Sequence, residues 1–401
     1  MHVKSTAIVL FLAVATLAGC NDTLDSFDPS KISNKVEQPL PSKILAAMKA
    51  KGMERNSPIM IRVFKEEGVL EIWKAKTNNR FDKIAEYEIC AWSGKLGPKV
   101  KEGDRQAPEG YYPLTPYHLN PNSKYFLAIN TGYPNRFDQA NGRTGSNLMI
   151  HGACSSSGCY SMTDAQIMEI YAFARDAFKG GQQTVQLQAF PFRMTAENMA
   201  RHRLSPHYDF WKMLKVGYDN FEVTKRPPEV AVCGRQYVFN QQVEGNATVN
   251  AAAACPPMST PPALASALAS YNVSYERDYA KALNKYKGKA WVDPSEAERK
   301  ALVAAKRKAK ASDLAYAPTG SALKAGRLVS IDEFEAMSSD QPAATQTPPV
   351  PAATAQSAPA SPAVAPTTTA TVPVPVPNPQ TEAAEQPAAR KKPFWKLWSS
   401  Q

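Results

Sequence analysis

The chain has 401 residues, with 47 lysines and arginines against 36 aspartates and glutamates and a formal net charge of +11. That length leaves room for several domains, but the last third is poor in core-forming residues, so one folded domain and a long tail are expected. The basic balance calls for anionic partners, either lipid headgroups or a carboxylate-rich polymer; with the charge scattered and no recognised binding motif, nucleic acid is excluded.

The first residues read as an address. His2 and Lys4 form a short basic start, and residues 6–18 form an apolar run too short to span a bilayer comfortably, the pattern of a cleaved signal over residues 1–19. Leu17-Ala18-Gly19-Cys20 resembles a bacterial lipobox, which implies lipidation at Cys20 and a membrane tether through the N-terminal lipid, stable with more than one acyl chain. Asn21 in place of aspartate favours the outer over the inner membrane, with the protein in the periplasm. The alternative is an ordinary secretory signal with an incidental cysteine. Export implies oxidising conditions, and beyond Cys20 five cysteines remain: Cys90, Cys154, Cys159, Cys233 and Cys255. An odd number leaves at least one free thiol; Cys233 and Cys255 are candidates for a bridge.

Residues 20–56 are polar, with one helical pattern over residues 44–53, and read as a spacer. The folded domain is expected over residues 57–239. Pro58 to Phe64, a Glu66-Glu67-Gly68 turn and Val69 to Trp73 predict a hairpin. Residues 81–91, 125–129, 148–150 and 185–190 predict further strands. Thr163 and Gln166 form a capping-box pair, followed by Ile167, Ile170, Tyr171, Ala174, Ala177 and Phe178 on one helical face and ended by Gly180-Gly181. The expected class is mainly β with α, with one prominent helix. Residues 240–340 predict a charged, partly helical extension. Residues 341–390 hold twelve of the 33 prolines and predict an extended linker in a largely disordered C-terminal tail. Residues 391–401 carry Lys391, Lys392, Phe394, Trp395, Lys396 and Trp398, which suit docking to an unknown partner or an incidental tail end.

The chemistry concentrates between Met149 and Asp164. His151 leaves a strand, a loop of small residues follows, and Cys159 precedes the helix. Such a loop can bring an imidazole against a thiol, and a helix amino end together with the imidazole depresses a thiol pKa. Backbone N–H groups at Gly158 and Cys159 are candidates for an oxyanion site. Two other readings compete: His151 and Cys159 as structural residues, or His151, Cys154 and Cys159 as three zinc ligands. The zinc reading lacks a fourth ligand and a suitable compartment. Cys154 is expected to pack, with a reversible disulfide masking Cys159 as the alternative.

His151-Gly152, a loop and Ser156-Ser157-Gly158-Cys159-Tyr160 resemble the YkuD-type L,D-transpeptidase catalytic domain. The phrases Ser93-Gly94-Lys95-Leu96-Gly97-Pro98-Lys99, Ala107-Pro108-Glu109-Gly110-Tyr111-Tyr112, Asn130-Thr131-Gly132-Tyr133-Pro134-Asn135, Phe190-Pro191-Phe192-Arg193-Met194 and Phe210-Trp211 resemble its murein–lipoprotein amidase branch. The resemblance covers residues 58–239. It implies an L,D-transpeptidase-like β-sandwich, Cys159 as nucleophile, His151 as base, peptidoglycan stem peptides as substrate, murein lipoprotein as a partner, and no cofactor or metal. Typical members carry a second histidine where Ser157 stands and an arginine where Ser161 stands. Both departures point toward hydrolysis at meso-diaminopimelate rather than cross-linking, with L,D-transpeptidation and an inert wall-binding lipoprotein as the alternatives. Arg143 and Lys99 are candidate carboxylate-binding residues.

Overall fold

The computed structural model describes residues 32–339 apart from 155, 157, 296, 299, 300 and 302–325. The signal region, Cys20 and the segments 341–390 and 391–401 lie outside these residues.

In chain order the elements are α1 (Ser42–Ala50), β1 (Ile59–Phe64), β2 (Val69–Ala75), β3 (Phe81–Glu88), β4 (Ala91–Trp92), β5 (Gly110–Leu114), β6 (Leu119–Asn120), β7 (Ala128–Asn130), α2 (Arg136–Ala140), β8 (Met149–His151), β9 (Tyr160–Ser161) and α3 (Asp164–Lys179). There follow β10 (Val185–Phe190), α4 (Ala196–Arg201), α5 (Tyr208–Thr224), β11 (Val230–Cys233), β12 (Gln236–Phe239), β13 (Gln242–Val243), β14 (Met258–Ser259), α6 (Pro262–Lys285), β15 (Lys289–Val292), β16 (Arg327–Ser330) and α7 (Ile331–Ser339).

Among the described residues two five-stranded sheets carry the fold, in the orders β3-β2-β1-β10-β5 and β4-β9-β8-β7-β6. The expected hairpin forms, with Val63 opposite Leu70. Strand β1 is buried along its whole length, because α5 covers one side of its sheet and the domain core the other. Even Arg62 is enclosed there. Its guanidinium lies 4.3 Å from the Tyr218 ring and 4.7 Å from Phe221, and pairs with Glu222 at 2.7 Å, so the aromatic faces and one carboxylate offset its desolvation.

Helix α3 starts where the capping box places it. The Gln166 N–H donates to Thr163 Oγ1 and the Thr163 N–H to Gln166 Oε1, an arrangement worth about 1 kcal/mol. Ile167, Ile170 and Ala174 are buried in the core. Two further long helices join it. In α5, Trp211, Leu214, Tyr218 and Phe221 repeat at helical spacing and are buried. In α6 the stripe is Tyr271, Tyr275, Tyr279 and Ala282. Tyr275 lies over the Lys215 ammonium at 3.4 Å, and the Tyr279 and Tyr208 hydroxyls are hydrogen-bonded at 2.7 Å.

The described parts of both flanking segments pack on the domain. On the N-terminal side Leu40, Met48 and Met53 are buried. Lys35 Nζ donates to the Phe126 carbonyl at 2.5 Å, and Arg175 donates to the carbonyls of Val36 and Gln38. No helix among the described residues is long and apolar enough to cross a membrane.

Candidate active site

Strands β8 and β9 run parallel, with Ile150 opposite Tyr160 and His151 opposite Ser161. Ile150 and Tyr160 point into the core and are fully buried, which fixes the register: a slip of one residue would bring both to the other face. Cys159 enters β9 one position before its first paired residue. Its thiol donates to the Asn147 carbonyl at 3.7 Å, and the Met149 amide also faces the sulfur. Met149 and His151 are alternate residues of β8, about 7 Å apart along the strand, and His151 ends the strand that pairs with β9. Thiol and imidazole are not hydrogen-bonded to each other in this resting geometry.

His151 is held tightly. The Gly152 carbonyl accepts from Nδ1 at 2.6 Å, which places the ring hydrogen on Nδ1 and leaves Nε2 as the basic nitrogen. Tyr125, 42% exposed, covers the imidazole with ring centroids 4.5 Å apart and planes tilted by 33°. Burial lowers the imidazole pKa, partly countered by the Gly152 carbonyl, and so favours the neutral ring.

The expected depression of the thiol pKa is not what the structure holds. Burial pushes the Cys159 thiol up, and the Met149 amide and the charge of Lys99 only partly oppose it. The reason is geometric. Strand β9 separates the cysteine from α3, which begins at Asp164, and a helix dipole acts only within about one turn of its end. The Asp164 carboxylate serves the loop instead, its Oδ1 accepting from the Ala153 N–H at 2.8 Å.

Cys154 is neither packed as a free thiol nor available as a zinc ligand, because it is bridged to Cys90. Cys233 and Cys255 are bridged as well, and Cys159 is the free cysteine among the described residues. In the chain-entropy picture a bridge closing 64 residues contributes about 4 kcal/mol. The Cys90 bridge also holds an unfavourable turn: Ala153 (φ +62°) and Cys154 (φ +46°) are consecutive non-glycine residues in the left-handed region, each costing about 1–2 kcal/mol.

The remaining candidates fall in different places. Gly158 takes φ +111°, open to glycine and strained for other residues. The Cys159 N–H donates to Ser156 Oγ at 3.0 Å, while that hydroxyl donates to the Cys159 carbonyl at 2.6 Å. Ser156 thus occupies the amide expected to face an oxyanion and must turn aside for it to do so. Arg143 is spent on structure: it pairs with buried Asp138 at 2.9 Å between the rings of Phe137 and Phe210. Lys99 is buried and paired with Asp104 at 2.5 Å, and its charge reaches Cys159 through space. Tyr125 and Asn147 carried no signal as site residues in the sequence, since a tyrosine and an asparagine near strand ends are ordinary; Ser156 stood there only as part of the motif around Cys159. A cavity of about 530 Å³ lies elsewhere, lined by Tyr111, Asn135, Gln182, Gln186 and Pro228; it includes neither Cys159 nor His151.

Residues 61–185 match the L,D-transpeptidase catalytic domain family, YkuD. A protein of Escherichia coli (strain K12) named "Putative L,D-transpeptidase YafK" is 46% identical over 185 residues, covering 46% of this chain and 75% of that protein. Among solved structures, a point mutant of the helical cell shape determining protein Pgp2 of Campylobacter jejuni aligns over 48% of this chain and 68% of its own at 19% identity and a TM-score of 0.29. Bd1075 of Bdellovibrio bacteriovorus aligns over 44% and 77% at 18% identity and a TM-score of 0.25.

Proposed function

Because the chain belongs to the L,D-transpeptidase catalytic-domain family, we propose that it is a cysteine-dependent acyl-transfer enzyme acting on peptidoglycan stem peptides at meso-diaminopimelate. The observation that carries this reading is the placement of the free thiol of Cys159 beside the strand that ends in His151. Nε2 of His151 takes the thiol proton as sulfur attacks the peptide carbonyl. The imidazolium then protonates the leaving amine. Amides at Gly158 and Cys159 steady the developing oxyanion once Ser156 Oγ turns away, and each such donor is worth about 10²–10³ in rate.

Water as the second acceptor makes the protein an amidase that releases covalently bound murein lipoprotein. The residue that favours this outcome is Ser161. It is buried, and its hydroxyl donates to the Ala91 carbonyl at 2.9 Å. An arginine there would face the same side as His151 and offer a cation to a carboxylate; serine offers none. An amine acceptor gives an L,D-transpeptidase instead, the activity in the relative's name. An inert wall-binding lipoprotein is the reading of another class.

Two disulfides among the described residues support an oxidising compartment. With lipidation at Cys20 they fit a periplasmic protein anchored in the outer membrane. The test is incubation of the full chain with sacculi carrying linked lipoprotein, beside Cys159→Ala. Released lipoprotein from the wild type alone supports the amidase; new cross-links support transpeptidation; neither product sinks both enzyme readings.

A further inference from the structure

We propose that the Cys90–Cys154 disulfide is a positioning device for His151, so that acyl transfer at Cys159 depends on the oxidised state of this pair. The proposal rests on the reading of His151 as the base, and it joins the redox state of two other cysteines to the tautomer of that base.

The linkage runs through three consecutive residues. The Gly152 carbonyl holds the His151 Nδ1 hydrogen. Gly152 itself is hemmed in: a Cβ placed on it would lie 2.4 Å from Asp164 Oδ1 and 2.9 Å from the Tyr125 carbonyl, and its N–H bonds back to Tyr125 and Leu127. Ala153 and Cys154 then turn left-handed, a conformation that persists only where the surroundings over-determine it. Three groups do so here. Asp164 holds the Ala153 N–H, the Met162 carbonyl holds the Cys154 N–H at 3.1 Å, and the disulfide holds the Cys154 side chain.

Its other half is well founded. Cys90 is 1% exposed, and its N–H donates to the Ser161 carbonyl at 2.9 Å, on the strand that begins directly after Cys159. The bridge therefore closes a covalent ring that contains His151, and through the Cys90 N–H it is tied to the strand that follows Cys159. When it opens, Ala153 and Cys154 can return to ordinary φ. That rotates the peptide between residues 152 and 153 and withdraws the carbonyl from Nδ1. Reduction takes two electrons and two protons from a dithiol, which is itself oxidised to a disulfide, and leaves two thiols. Cys154 is half-buried, so a reductant meets that sulfur first.

The test uses the full chain with Cys90→Ser and Cys154→Ser together. The ring nitrogens of His151 are followed by ¹⁵N NMR, and kcat and KM by release of wall product. Expected results are loss of the single Nδ1–H tautomer and a fall in kcat of at least about tenfold, part of the 10²–10⁴ typical of a general base, with KM unchanged. Cys233→Ser with Cys255→Ser is the control, expected to lower the melting temperature and leave tautomer and kcat alone. Should the first variant not fold, reduction of the control variant by dithiothreitol and its reoxidation give the same readouts reversibly. An unchanged tautomer and kcat, with only the melting temperature lowered, overturns the proposal. If the wild type forms no acyl product the functional reading falls, while the tautomer still decides this inference.

Discussion

Removing one member of the buried pair Lys65–Glu109 should cost more than any surface change in the protein. Both side chains are fully enclosed and 2.8 Å apart. The Lys65 ammonium donates to the carbonyls of Lys95, Gly97 and Ala107 as well as to Glu109. Glu109 in turn accepts from the Gly97 N–H and from Trp211 Nε1. Lys65→Met leaves that carboxylate buried with two neutral donors, and Glu109→Gln leaves the ammonium with carbonyls alone; each is expected to lose about 3–5 kcal/mol, the range for a stranded buried charge. The double change strands neither, so its cost should fall short of the sum by about 1–3 kcal/mol. Urea unfolding with the disulfides intact measures this, with Trp92 and Trp211 as fluorescent reporters in contact with the pair. At a slope of about 2 kcal/mol per molar urea, each single change moves the midpoint by about 2 M. The site should feel it too, because the strapped segment reaches Arg105 and Gln106 at the edge of Gly158. A single-variant loss below about 1 kcal/mol, or strictly additive losses, refutes the reasoning.

Alkylation of Cys159 should quicken with pH beyond about 8.5, the ordinary thiol value, because burial disfavours the thiolate; a plateau below pH 8 contradicts this. Tyr125→Ala should slow acyl transfer about threefold to tenfold, matching the worth of an aromatic pair, while Tyr125→Phe keeps the wild-type rate. The pKa of the Glu67 carboxyl is raised to about 7 by burial, and its Oε2 has no hydrogen-bond partner among the described residues. The folded state therefore holds a proton that the unfolded chain has released, so stability falls as pH rises from about 4.5 to 7, by at most about 3 kcal/mol. Glu67→Gln should abolish that slope in thermal melts at a series of pH values, and a slope of unchanged size would discount Glu67 as its source.

The hairpin of β1 and β2, the strand at β10 and the start of α3 were readable because each rests on local chemistry: alternation, a glycine turn, a capping box. His151 and Cys159 were readable as a pair because eight residues of chain confine them to neighbouring strands. What escaped depends on distant partners. Cys90 lies 64 residues from Cys154, and nothing local marks it as the mate. The thiol was expected to feel the helix; two paired residues of β9 intervene, too short a strand for alternation to show. Arg143 and Lys99 looked like open cations, and only tertiary packing supplies Asp138 and Asp104. Helix α5 was legible in principle, but its aromatic residues were read as a motif rather than as a periodic face.

The N-terminal stretch has a mechanical consequence. Lys35 grips the Phe126 carbonyl and Arg175 grips Val36 and Gln38, so these bonds lie between any load on a tether proposed at Cys20 and the sheets. Phe126 is the immediate neighbour of Tyr125, the ring lying on the imidazole. Tension along the leash would thus be delivered beside His151, before it reached the hydrophobic interior.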